Sequence, residues 1–130
     1  MNLKGQTVTV KRSAKYIYAF FTNPENYKQL MPKGTEKFEI EDQSFSFKLK
    51  SMPELKMLIK QKIEYSKVVL SSTADARFVF SLTSNIKEES KNKTQVYLNF
   101  ESNLNPMMTM MVKKPLSKFI ETLTENISNL

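Results

Sequence analysis

The sequence predicts an α+β domain in which a seven-stranded antiparallel sheet is covered on one face by a long C-terminal helix. Three observations predict it. Apolar residues recur at every second position from Thr35 to about Leu104, and they recur at a helical period from Asn105 to Leu130. A strand pattern and two short helical stripes precede both. The 130 residues fit one domain, 1–130, and a composition that is 40% hydrophobic and 11% aromatic is rich enough to build its core.

Residues 3–11 alternate, with Val8 and Val10 on one face and Thr7, Thr9 and Lys11 on the other, as a half-buried strand does. Ser13 caps the first helix, AKYIYAFF, whose stripe is Ile17, Phe20 and Phe21. Asn23-Pro24 ends that helix and opens a second, ENYKQL, with Tyr27 and Leu30 three apart before Pro32 stops it. Six strands follow, with inward phases Phe38/Ile40, Phe45/Phe47/Leu49, Leu55/Met57/Ile59/Ile63, Val68/Leu70, Phe78/Phe80/Leu82/Ile86 and Val96/Leu98/Phe100/Leu104. Their outward neighbours include Lys48, Lys56, Leu58, Lys60, Lys62 and Arg77. Turn-like segments at 41–43, 51–53, 72–76 and 89–93 join them, which implies a meander with one polar, Lys-rich face. Asn105 caps the last helix and Pro106 begins it. Met108, Val112, Leu116, Phe119, Ile120, Leu123, Ile127 and Leu130 fall in one arc, and Pro115 should kink the run.

Composition excludes several functions. With no Cys and no His, the chain cannot form disulfides, thiol nucleophiles or any metal or haem site that requires those ligands. No metal and no cofactor is expected. The formal charge of +7 comes from 20 Lys+Arg against 13 Asp+Glu, and only Arg12 and Arg77 are arginine. Base-reading proteins depend on the arginine fork, so specific nucleic-acid recognition is not expected, whereas contact with an anionic surface is compatible with the lysines. No apolar run resembles a signal peptide or a membrane span, and the expected compartment is the cytoplasm.

The order of strand, two short helices, six strands and long helix is the helix-grip arrangement. Two segments carry a resemblance: the opening TVTVKRSAKYIYAFFTNPENYKQLMP and the closing FESNLNPMMTMMVKKPLSKFIETLTENI. On these the chain resembles the START-like superfamily, also called SRPBCC, which includes birch pollen allergen-like proteins and the polyketide cyclase/dehydrase group. The Asn-Pro-Met-Met start and Lys-Pro-Leu kink look like those of a small bacterial subgroup that carries no assigned activity. The resemblance implies a curved sheet gripping the long helix, with an apolar cavity between them. Catalytic members point ionisable residues into that cavity. Here the inward positions are apolar except Gln61, Ser84, Thr94 and Ser102, and no paired carboxylates converge. Tyr18 and Tyr27 are the hydroxyls that can reach it from the short helices, and no catalytic residue is assigned.

The function these features point to is non-catalytic binding of an apolar or amphipathic, lipid-like molecule between sheet and helix. The lining candidates are Tyr27, Phe47, Met57, Ile59, Gln61, Phe78, Phe80, Leu98, Met108, Met111, Val112 and Phe119. A bulge or strand end at Gln61 would instead place that amide in water. The alternative is a solid-core interaction protein. It would dock a protein or an anionic surface through the cluster Met107, Met108, Met110 and Met111, or through a basic patch of Lys48, Lys50, Lys56, Lys60 and Lys62. A third, an enzyme of the cyclase type, lacks titratable groups at the inward positions.

Overall fold

The computed structural model describes residues 1–50, 52–76 and 78–130. In chain order its elements are β1 (Asn2–Lys4), β2 (Val8–Val10), α1 (Ala14–Phe21), a 3₁₀ helix (Pro24–Leu30), β3 (Lys37–Glu41), β4 (Ser44–Lys48), β5 (Leu55–Ile63), β6 (Lys67–Ser72), β7 (Phe80–Ser90), β8 (Lys93–Ser102) and α2 (Pro106–Ser128). The sheet is antiparallel throughout, in the order β1-β8-β7-β6-β5-β4-β3, with β2 also paired to β8. The six-strand meander is therefore as expected, and α2 crosses the face that carries the core.

The first strand is broken where the alternation predicted one piece. Lys4 pairs with Asn99 and Val8 with Val96, so the edge spends one residue more than its partner across Gly5–Thr7. This bulge brings Leu3, at an odd position, onto the same face as Val8 and Val10, at even positions. Gly5 bridges the break by donating its N–H to the Leu98 carbonyl at 2.8 Å. A Cβ on Gly5 would lie 3.1 Å from Thr124 Oγ1 and 3.2 Å from Ile120 Cγ2, both on α2. A side chain at this position would press on Thr124 and Ile120 by a few tenths of an ångström.

A second bulge changes the reading of β5. Ile59 pairs with Leu70 and Gln61 with Val69, leaving Lys60 as the extra residue. Leu55, Met57 and Ile59 face the core as predicted, but past the bulge every side chain changes face. Gln61 and Ile63 fall on the outer face and are exposed, while Lys62 shares a face with the buried Val68. The inward placement of Gln61 and Ile63 and the outward placement of Lys62 are corrected accordingly. On β7 the strand begins at Phe80, with Phe78 half-buried before it. Arg77, and Ser51 in the β4–β5 turn, lie outside the described residues.

The caps form as the sequence predicts. Ser13 accepts a hydrogen bond from the Tyr16 amide at 3.1 Å, and Asn105 accepts one from Met108 at 2.8 Å. Asn23 caps the Pro24–Leu30 segment, accepting from Glu25 at 3.1 Å, and that segment is 3₁₀, where positions three apart eclipse. Tyr27 and Leu30 are thereby both buried. The helix α2 continues through Pro115 and is tied down at its far end, where Asn126 donates to the Leu30 carbonyl at 2.8 Å. Its buried residues begin only at Leu116. Met108 and Val112, predicted for the core arc, are half-buried.

Replacing Gly5 by Val is expected to destabilise the fold by about 1–3 kcal/mol, the usual cost of overpacking, because both α2 contacts are already tight. Gly5→Ala should cost less. Urea unfolding of the two variants beside the parent protein measures the difference.

Candidate functional site

Between β4, the 3₁₀ helix and α2 the core is a row of aromatic rings. Tyr27 stacks on Phe45 at 4.7 Å between centroids, Phe45 on Phe47 at 5.9 Å, and Phe47 on Phe119 at 5.3 Å. Phe38 joins from β3, 5.4 Å from Phe45. Such pairs contribute about 0.5–1.5 kcal/mol each beyond their burial. The row joins the sheet to the middle of α2.

Of the twelve lining candidates, Tyr27, Phe47, Met57, Ile59, Phe80, Leu98 and Phe119 are buried in this core. Phe78, Met108 and Val112 are half-buried, Gln61 is exposed, and Met111 is 73% exposed. They do not share one chamber. Phe78 and Phe80 border a pocket of about 320 Å³ beside Pro53–Lys56 and Thr73–Ala76. Phe119 alone of the twelve reaches a larger cleft, of about 500 Å³, beside α2.

That cleft is built from three separate pieces of chain: the loop 32–35 after the 3₁₀ helix, Leu49 and Lys50 after β4, and the 114–122 stretch of α2. Each local cause is simple. Pro32 ends the 3₁₀ helix, and Gly34, at a φ of 88°, turns the chain toward β3. Pro115 and Phe119 lie four apart and so share a helix face. The floor is Pro32, Leu49, Pro115 and Phe119, and Lys33, Lys50, Lys114 and Lys118 rim it. An apolar floor under four ammonium groups suits an apolar body that ends in a negative charge. Leu49, Lys33 and the α2 lysines were missed as site residues because no periodicity links segments about 80 residues apart in sequence. A third groove, of about 610 Å³, separates the bulged edge from α2 and is bordered by Lys4, Gln6, Glu121 and Glu125.

The remaining candidates are placed as follows. Tyr18 packs edge-on against Tyr65 at 5.5 Å, outside the aromatic row. The buried Tyr27 hydroxyl donates to the Phe21 carbonyl at 2.6 Å, and burial raises its pKa far above the ordinary phenol range. Its proton is thus held in a structural bond. Ser84 and Thr94 are buried, and Thr94 donates to the Arg12 carbonyl at 2.6 Å. Among the described residues no group of three or more Asp or Glu converges as a metal site.

The expected basic patch is not a single surface. Lys48 lies 3.5 Å from Glu36 and Lys56 lies 3.2 Å from Glu41, so their charges are locally offset. Nearby, Lys37 bonds Glu54 at 2.8 Å, which holds the ammonium above and the carboxyl below their ordinary ranges. The bulge separates Lys62 from the group, and Lys50 belongs to the cleft.

The chain has the START-like, helix-grip fold, and solved structures match it along nearly all its length. Norcoclaurine synthase from Thalictrum flavum, as a point mutant in complex with a transition-state analogue, superimposes with a TM-score of 0.73 at 16% identity, covering 99% of this chain and 92% of that one. A START superfamily protein from Mycobacterium smegmatis matches with a TM-score of 0.65 at 15% identity, over 98% and 97% of the two chains. A conserved protein from Geobacillus kaustophilus gives 0.69 at 10% identity, over 99% and 93%. At such identities the likeness is one of fold. No protein-family model and no curated protein matches the sequence.

Tyr27→Phe is expected to lower stability by about 1–3 kcal/mol, since it leaves the buried Phe21 carbonyl without its donor. Chemical denaturation checks the loss.

Proposed function

We propose that this protein holds an apolar or amphipathic, lipid-like molecule without transforming it, at the margin between the sheet and the C-terminal helix. The whole chain acts as one domain, in the cytoplasm. The observation that supports this is the cleft of about 500 Å³ with its apolar floor and its rim of Lys33, Lys50, Lys114 and Lys118. Its volume falls within the range of small-molecule sites. Affinity comes from covering the floor, at about 25 cal/mol per Å² of apolar surface removed from water, and the lysines select a negatively charged head. Of the inner residues, Phe119 forms part of the floor and Phe47 stands behind it.

Norcoclaurine synthase is by name an enzyme. In the cleft of this protein the titratable groups are lysines alone, with no carboxylate or tyrosine to share acid–base work. Binding is therefore the reading that the lining favours. The START superfamily likeness agrees with a role in which the fold itself supplies an apolar surface for a ligand.

Native mass spectrometry of the purified protein, with an organic extract analysed alongside, is expected to show a stoichiometric anionic amphiphile. Thr122→Trp fills the cleft from the helix side without entering the core, and should reduce occupancy at least about tenfold with the melting temperature unchanged. A bare mass that a panel of fatty acids and lysophospholipids leaves unaltered overturns the reading.

A further inference from the structure

None of the first ten residues of α2 is fully buried, since the buried residues of the helix begin at Leu116, and of its Met and Val side chains there only Val112, on the flank opposite the exposed side, packs against the core. On this stretch Met107, Met110 and Met111 are 74%, 83% and 73% exposed. Val79, 64% exposed, lies beside the helix start, where its carbonyl accepts the Asn103 amide at 3.3 Å. Large apolar side chains are seldom this accessible, and four gathered at one end of a molecule mark a contact surface.

The charges behind this tip are ordered. At 100° per residue, Met107, Met111, Lys114, Lys118, Glu121 and Glu125 fall in a stripe about 80° wide along the exposed side of α2. From the N-terminus the stripe is apolar, then basic, then acidic. The lysines begin about 10 Å and the carboxylates about 20 Å from Met107, at 1.5 Å of rise per residue. Among the described residues, Lys113, Lys114 and Lys118 have no carboxylate within 4.0 Å, unlike Lys37, Lys48 and Lys56 on the sheet. Lys33 and Lys50 face the same end from across the cleft.

We propose that the start of α2 docks the protein on an anionic phospholipid bilayer. The methionine tip enters the headgroup–acyl boundary, Lys113 and Lys114 lie among the phosphates, and Glu121 and Glu125 sit about 10 and 16 Å further along the helix axis, at or beyond a Debye length at about 0.1 M salt. The order of the charges selects this occupant. A flat apolar protein patch would account for the methionines but not for a belt of unpaired ammonium groups behind them, and a second copy meeting this one methionine tip to methionine tip would bring the two basic belts close together. No helix of the described chain is long and apolar enough to cross a membrane, so the contact is peripheral. It does not require the cleft to hold a ligand, although the cleft shares Lys114 and Lys118 with the docking face and opens beside it.

The test uses the full chain and vesicles of phosphatidylcholine with about one third phosphatidylserine. The protein should sediment with these vesicles at low salt, leave them at about 0.5 M salt, and ignore pure phosphatidylcholine. The triple variant Met107→Ser, Met110→Ser, Met111→Ser should lose at least about tenfold in partitioning with an unchanged melting temperature. Because the sequence has no cysteine, Met110→Cys accepts a single environment-sensitive fluorophore. Its emission should shift to the blue on vesicles, whereas the same label at Lys91→Cys, in the β7–β8 turn, should not respond. Absence of partitioning overturns the proposal, as does a triple variant that partitions like the parent or a Met110 label that stays in water. A dimer in sedimentation velocity that the triple variant abolishes would give the patch to a second copy instead. Thr122→Trp should still sediment with vesicles, so a failed cleft and a failed docking surface give different results.

Discussion

The stacking of Phe119 on Phe47 ties the C-terminal helix to the sheet at β4, beside its packing on β2, β8 and the 3₁₀ helix. Two rings with centroids 5.3 Å apart hold α2 against β4 near the middle of the helix. From there the row through Phe45 to Tyr27 carries the contact to the 3₁₀ helix. Beyond Phe119 the helix is secured residue by residue, by Leu123 and Ile127 in the core and by Asn126 on the Leu30 carbonyl. Before it, burial stops at Leu116. The buried half of α2 thus follows this contact, and the half before it keeps its methionines exposed.

The exposed half explains why the apolar surface of this protein is divided. In a close-packed interior, rings that touch one another leave little space for a guest, so accessible apolar surface moves to the margins. It appears at Pro32, Leu49 and Pro115 in the cleft and at the methionines beyond it. Methionine suits the second place, because an unbranched, polarisable side chain conforms to whatever covers it. Charge is divided in the same way. Lys37, Lys48 and Lys56 on the sheet have acidic neighbours, whereas among the described residues those of α2 between Lys113 and Lys118 do not.

Two bulges set the registers that make the grip possible. At Gly5–Thr7 the extra residue keeps Leu3 and Val8 on one face and lets a side-chain-free backbone approach Ile120 and Thr124. At Lys60 it turns the end of β5 outward, so the strand presents Leu55, Met57 and Ile59 to the core and releases Gln61 and Ile63 to solvent. Each bulge is a single residue, and each reverses the facing of everything beyond it.

The sequence by itself determined the elements and their caps: Ser13, Asn23 and Asn105 act where they were read, the meander has its six strands, and Leu116 to Ile127 bury the predicted stripe. These are local matters, settled by the period of side chains within a few residues. The fate of Gln61, Lys62 and Ile63 was not legible, because a bulge leaves no periodic signal in a nine-residue strand that is polar at one end. Nor was the cleft. Its floor joins Pro32, Leu49 and Phe119, and its lysines read in sequence as ordinary solvated charges until the fold places them around one opening. Only tertiary packing decided that site, because the relative placement of distant segments depends on how rings such as Phe47 and Phe119 fit, and periodicity carries no information about fit.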